Sequence, residues 1–224
     1  MGKFDRFFED DRSPPRRGNS ENPGGAPDDV RGLPAGEWLR RGVYKMERFY
    51  KIGCKYGRGS LGNPDEMEVM GHLGASGDVV FLDLETTGLS GGAGTYAFLC
   101  GLGRVFGGRF KVTQYFLKSP AYEPQWLDAI DADIPAGSTI ATYNGKNFDV
   151  PMLMTRHVLS RMNVHWQSYP HIDLLHLSRR FYRGYLESCS LGSVERSVLG
   201  VVRSGEDVPG CLIPQLYLRY LRER

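Results

Sequence analysis

The stretch Val79–Leu89, VVFLDLETTGL, constrains this chain more than any other. Five of its first six residues are apolar, the pattern of a strand buried on both faces, yet Asp83 and Glu85 stand at its end. Side chains two apart on a strand point to the same side, so the two carboxylates project together. Like charges so placed repel, and the pKa of at least one rises unless a cation lies between them. A divalent metal is the simplest reading. Asp-x-Glu alone is common in solvated loops, but the apolar run before it and the Thr86-Thr87-Gly88 turn after it favour a site.

A chain of 224 residues can bury a full core without disulfides, as one domain with some extra. Cys54, Cys100, Cys189 and Cys211 form no Cys-x-x-Cys pair, which suggests free thiols in a reducing cytosol. The net charge of +2 neither identifies nor opposes a nucleic-acid binder. No apolar run approaches the roughly 20 residues that cross a bilayer. The acids Asp5, Glu9 and Asp10 beside Lys3 and Arg6 do not make a signal peptide. The expectation is a soluble, cytoplasmic protein with no membrane contact.

Three regions follow from composition. Residues 1–36 carry Pro14-Pro15, Pro23-Gly24-Gly25 and mixed charge and are expected to be a disordered tail. Residues 37–76 form a basic, aromatic extension and a connection; within 37–58, seven Lys or Arg stand against two Glu, among Trp38, Tyr44, Phe49, Tyr50 and Tyr56. Cations with aromatic faces suit single-stranded nucleic acid, and equally an extension whose rings pack on the main domain. A short helix is expected over 64–72. The main domain spans 77–224.

Within it, Thr95–Phe106 and Arg109–Leu117 joined by Gly107-Gly108 read as a hairpin, giving a three-strand antiparallel meander with the first strand. Pro124 suits a first helical turn with Trp126, Leu127 and Ile130 inward. Ser138–Tyr143 is a further strand. Phe148, Met152, Thr155, Leu159 and Met162 recur at helical spacing, which puts Asp149 in a first turn, where the helix dipole favours a carboxylate and where open sheets bind ligands. His157 and His165 read as structural or exposed. His171-Ile172-Asp173 leads into a helix with Leu174, Leu177 and Phe181 inward and Asp173 as its cap. The last helix opens at Pro214 and buries Ile213, Leu216, Tyr217, Tyr220 and Leu221. Residues 179–224 hold eight Arg against five acids, a phosphate track or a solvated face.

These motifs together resemble the DEDD 3′-5′ exonuclease superfamily on the ribonuclease H-like fold, and its YprB-like domains in particular. Asp83-Leu84-Glu85-Thr86-Thr87-Gly88-Leu89 resembles the first exonuclease motif and Asn144-Gly145-Lys146-Asn147-Phe148-Asp149 the second. SGGAGTYAFL, HIDLLHLSRR and DVPG match the YprB-like branch. The resemblance implies an α/β fold with a five-stranded mixed sheet, the meander plus two strands parallel to its first, flanked by helices. It implies that Asp83, Glu85 and Asp149 hold two divalent cations, Mg²⁺ or Mn²⁺, and are catalytic. Thr86, Thr87, Gly88 and Leu89, with Asn144, Lys146 and Phe148, would meet the 3′ end of single-stranded DNA or RNA, and His171 and Asp173 would stand behind the ligands. The third motif, a His or Tyr and a fourth Asp, is expected beyond Leu221, and the chain reaches Arg224 without it. The domain is therefore expected to be incomplete at that end. Three readings follow: a metal-dependent exonuclease, a non-catalytic nucleic-acid-binding module, or a degenerate remnant.

Overall fold

The computed structural model describes residues 34–40, 42–62, 68, 70–88, 94–201 and 208–223. The expected tail lies outside these residues apart from 34–36, and so does most of the helix expected over 64–72. The meander is present: β5 (Val79–Thr86), β6 (Ala97–Phe106) and β7 (Arg109–Leu117) pair antiparallel in sequence. Gly107 and Gly108 turn the second hairpin at φ 57° and 74°, the left-handed conformation that a two-residue turn of this kind requires. β8 (Thr139–Thr142) lies parallel to β5, and β9 (His171–Asp173) parallel to β8. All five expected strands therefore run as expected.

The sheet is wider by two strands. β1 (Glu37–Arg40) and β2 (Val43–Lys51) extend it to seven, in the order β1-β2-β7-β6-β5-β8-β9. β2 pairs with β7 from Val43↔Leu117 to Lys51↔Arg109, so the basic, aromatic stretch is an edge of the same sheet. Its alternation was obscured because Lys45 and Glu47 stand where apolar residues would be expected. Glu47 is held by Lys45 at 2.8 Å and by the buried Lys111 of β7 at 3.4 Å. Tyr44 is buried and donates its hydroxyl to Pro34 O at 2.6 Å. A small separate hairpin, β3 (Lys55–Tyr56) with β4 (Gly59–Ser60), follows.

Helices α1 (Glu123–Ala132), α2 (Asp149–Leu159), α3 (Leu174–Tyr182), α4 (Leu191–Val194, running on as a π turn over Glu195–Leu199) and α5 (Ile213–Arg222) flank the sheet. The main core joins Val80, Leu82 and Leu84 of β5 to Trp126, Leu127 and Ile130 of α1 and Met152 and Leu153 of α2. Each such side chain contributes about 1.5–3 kcal/mol on burial. Trp126 also donates to Tyr115 O at 2.8 Å, which keeps its indole N–H satisfied inside. Tyr217 of α5 stacks on Phe98 and donates to Leu117 O at 3.0 Å. Among the described residues no helix is long and apolar enough to cross a membrane.

Three helical faces differ from their expected stripes. On α2 the buried side chains are Met152, Leu153, Arg156 and His157, while Leu159 and the preceding Phe148 are exposed. The reason is polar: Arg156 pairs with the buried Glu123 of α1 through two hydrogen bonds of 2.6 and 2.5 Å. His157 lies between Leu153 O at 2.7 Å and Asp131 Oδ2 at 3.0 Å. On α3, Leu175 and Ser178 are buried, Leu174 and Leu177 partly so, and Phe181 faces solvent. On α5, Leu216 is exposed and the other four expected contacts hold.

Both polar pairs generate expectations. Arg156→Met strands the Glu123 carboxylate in the core and should cost about 3–5 kcal/mol in urea unfolding, and adding Glu123→Leu should recover much of that loss. A double variant no more stable than the single one would contradict the pairing. Burial works against the charge of His157, but Asp131 and the Leu153 carbonyl outweigh it and its pKa is raised. Its stabilisation is then complete below the unfolded value of about 6.5 and is lost as pH rises through the higher folded value. Thermal melts across that window should show wild-type stability falling with rising pH and His157→Gln lacking that component.

Candidate active site

β8 pairs with β5 only along Val79–Phe81, against Thr139–Ala141. Beyond Phe81 this edge of β5 has no further pairing with β8, and the chain turns away at Asn144, which adopts φ 72°. The backbone N–H of Leu84 is instead taken by Asp149 Oδ1 at 3.1 Å. Asp149 opens α2, where the helix dipole also favours a carboxylate. The bond sets Asp149 against the backbone between Asp83 and Glu85, at the end of β5 where open sheets bind ligands.

Asp83 and Glu85 share a face of β5, with Gly101 and Leu99 of β6 as their cross-strand partners. A Cβ added at Gly101 would meet only Asp83 O, at 3.9 Å, so the floor beside Asp83 is open. A glycine inside a strand was the available sign of this opening. Burial pushes the Cys100 thiol well up, and the charges of Asp149, Asp83, Asp133 and Asp131 add to the effect.

The second motif is a loop held from beneath. Asp173 is buried and accepts from Asn144 N at 2.7 Å, Lys146 N at 3.0 Å and Leu175 N at 3.0 Å. It caps α3 as expected and ties that cap to the loop. Thr142 Oγ1 accepts from Gly145 N at 3.1 Å and lies 2.9 Å from His171 Nε2. Burial, reinforced by the Lys146 charge, lowers the His171 pKa. Gly145 is required here, since a Cβ would come within 2.5 Å of the Thr142 side chain. Lys146 and Phe148 are exposed on the loop's outer side.

After the first motif, Thr86 donates to Gly88 O at 2.8 Å, and Thr87 exchanges hydrogen bonds with Tyr96 at 2.8 and 2.9 Å. Arg156 lies 4.1 Å from the Tyr96 ring centroid and so braces this turn from α2. Neither Tyr96 nor Arg156 was singled out in the sequence, where nothing links them. Leu89 lies outside the described residues.

The donor chemistry at the strand end fits a hard divalent cation, being carboxylate oxygen throughout. The three acids converge without closing a ligand sphere: among the described residues, no group of three Asp, Glu, His or Cys side chains is gathered tightly enough to hold an ion.

The sequence pattern of the RNase_H superfamily matches residues 80–224, and the chain belongs to that superfamily. The uncharacterized protein YprB of Bacillus subtilis (strain 168) is 35% identical over 188 residues, covering 82% of this chain and 43% of YprB. The chain thus spans less than half the length of that relative. Among solved structures, one described as "the structure of exonuclease I suggests how processivity is achieved" is 16% identical, covering 66% of this chain and 41% of that one, with a TM-score of 0.47. An E. coli exonuclease I complex with a dT13 oligonucleotide is 17% identical over the same shares, with a TM-score of 0.46. The expected resemblance to YprB-like domains and the expected ribonuclease H-like fold are both borne out.

Removing Asp173 strands three backbone donors. Asp173→Ala should cost more than about 2 kcal/mol and speed amide exchange at Asn144, Lys146 and Leu175 together. Protection unchanged at Asn144 and Lys146 would show that the loop does not depend on this carboxylate.

Proposed function

We propose that this chain acts as a divalent-metal-dependent nuclease domain on single-stranded nucleic acid, removing nucleotides from a 3′ end. The observation that carries the reading is the Leu84–Asp149 hydrogen bond, which brings the carboxylate of the second motif to the strand end bearing Asp83 and Glu85. The Leu84 amide gives Asp149 a structural reason to lie there, and a cation at the same strand end would offset the repulsion among the three acids. Asp83, Glu85 and Asp149 would hold Mg²⁺ or Mn²⁺. Such ions, when bound, stabilise the attacking and leaving oxygens of a phosphodiester.

The protein's own groups then have distinct tasks. Glu85 would orient the attacking water. The Thr86–Gly88 turn, braced by Tyr96, would carry the terminal nucleotide, and the open floor at Gly101 leaves room for it beside Asp83. Asn144 would shape the loop, with Lys146 meeting a phosphate and Phe148 a base. His171 and Asp173 would act as positioning residues, since Asp173 is committed to three backbone donors.

A second reading, a nucleic-acid-binding module that does not cut, is favoured by the open ligand sphere. One assay separates the two. With Mg²⁺ or Mn²⁺, a 5′-labelled single-stranded DNA or RNA should shorten stepwise from its 3′ end. Asp83→Asn should slow this by more than the roughly 10–100-fold that loss of an outer-shell partner costs. An oligonucleotide that is bound but never shortened would favour the second reading.

A further inference from the structure

The last turn of α3 and the loop after it, residues 179–189, carry a surface that the carboxylate site does not use. An open pocket of about 430 Å³ is lined by Arg179 and Arg183, the turn at Gly184, and Glu187 to Cys189. Along residues 179–189 three arginines, Arg179, Arg180 and Arg183, stand against a single acid, Glu187. Two aromatic side chains of the same stretch lie open to solvent, Phe181 at 62% and Tyr185 at 87% exposure.

The loop has a defined shape. Gly184 turns at φ 96°, and the backbone N–H groups of Tyr185 and Leu186 both donate to Tyr182 O, at 2.9 and 3.1 Å. Its far end is fastened to the second motif: Tyr143, which immediately precedes Asn144, donates its hydroxyl to Cys189 O at 2.5 Å, and Cys189 Sγ lies 3.8 Å from Ser178 O.

Arginines in a last helical turn complement the helix dipole, and that accounts for Arg179 and Arg180 without a ligand. It does not account for a pocket between Arg179 and Arg183, or for two large rings of the same stretch left in water. A protein-docking patch would place its apolar residues centrally and its charges at the rim. Here Arg179, Arg183 and Glu187 line the pocket with Leu186, and Phe181 and Tyr185 stand exposed in the same stretch of chain, a composition that suits phosphates in a groove with bases stacked nearby.

We propose that this platform docks single-stranded nucleic acid: Arg179 and Arg183 take backbone phosphates, and Tyr185 and Phe181 stack on bases. The tie from Cys189 to Tyr143 makes the platform continuous with the second-motif loop, so a strand whose end lies at the carboxylates would run on across it. This rests on the reading of the carboxylate site as one that acts on nucleic acid.

The test measures binding of a fluorescent single-stranded oligonucleotide of about 20 nucleotides, in chelator to prevent turnover, across a salt series. Shortening with Mn²⁺ is followed in parallel. For single strands each phosphate contact contributes about 0.7 to the slope of log affinity against log salt, so Arg179→Ala/Arg183→Ala should flatten the slope by about 1.4. Tyr185→Ala should weaken binding by about fivefold or more with the slope unchanged, and Tyr185→Trp should restore it. All these side chains are exposed, so circular dichroism melts should match wild type. If wild type binds and shortens the strand while the variants equal it in affinity and slope, the platform is overturned and the carboxylate reading stands. If wild type neither binds nor shortens the strand, both fail together.

Discussion

The hydrogen bond from the Leu84 amide to the Asp149 carboxylate is the interaction on which the site depends. It exists because β5 outruns β8, so the strand keeps an amide that no neighbouring strand takes up. A buried amide must find an acceptor, and the first side chain of α2 supplies one. The same bond therefore closes the sheet edge, fixes where α2 begins, and sets the third acid between Asp83 and Glu85. Structural need and site geometry coincide in one contact.

A second layer keeps that contact in register. Asp173 joins β9 and α3 to the loop of the second motif through three backbone donors, and Thr142 with Gly145 closes the loop's base. On the other side, Arg156 reaches from α2 to Tyr96, which grips Thr87. α2 thus bears on the first motif twice, directly through Asp149 at its start and indirectly, by way of Tyr96, through Arg156 two turns on. Because Arg156 is neutralised by the buried Glu123, the helix cannot rotate about its axis without stranding a charge in the core.

Much of this was legible in the chain. The apolar run of VVFLDL with its terminal acids, the Gly107-Gly108 turn and the placement of Asp149 and Asp173 at helix starts follow from local rules, while the five-stranded sheet was implied by the family resemblance. What was not legible depends on partners far apart in sequence. Lys45 and Glu47 hid a strand because Glu47, which pairs with Lys45, has its other partner, Lys111, in β7. Apolar spacing placed the buried stripe of α2 on Leu159, whereas Glu123 and Asp131 draw Arg156 and His157 inward instead. Phe181 fell on an apparent inward stripe of α3, and only the packing of Leu175 and Ser178 shows that it faces water. Gly101, a glycine inside a strand, is a local sign of an opening, but the cross-strand register that sets it beside Asp83 is not local.

The most direct measurement is a Mn²⁺ titration followed by amide NMR, because a paramagnetic ion broadens only the signals near it. The account predicts selective broadening at Leu84, Gly101 and the amides leading into Asp149, and its loss in Asp149→Ala. Broadening scattered over surface acids, or unchanged in that variant, would contradict a metal site at the end of β5.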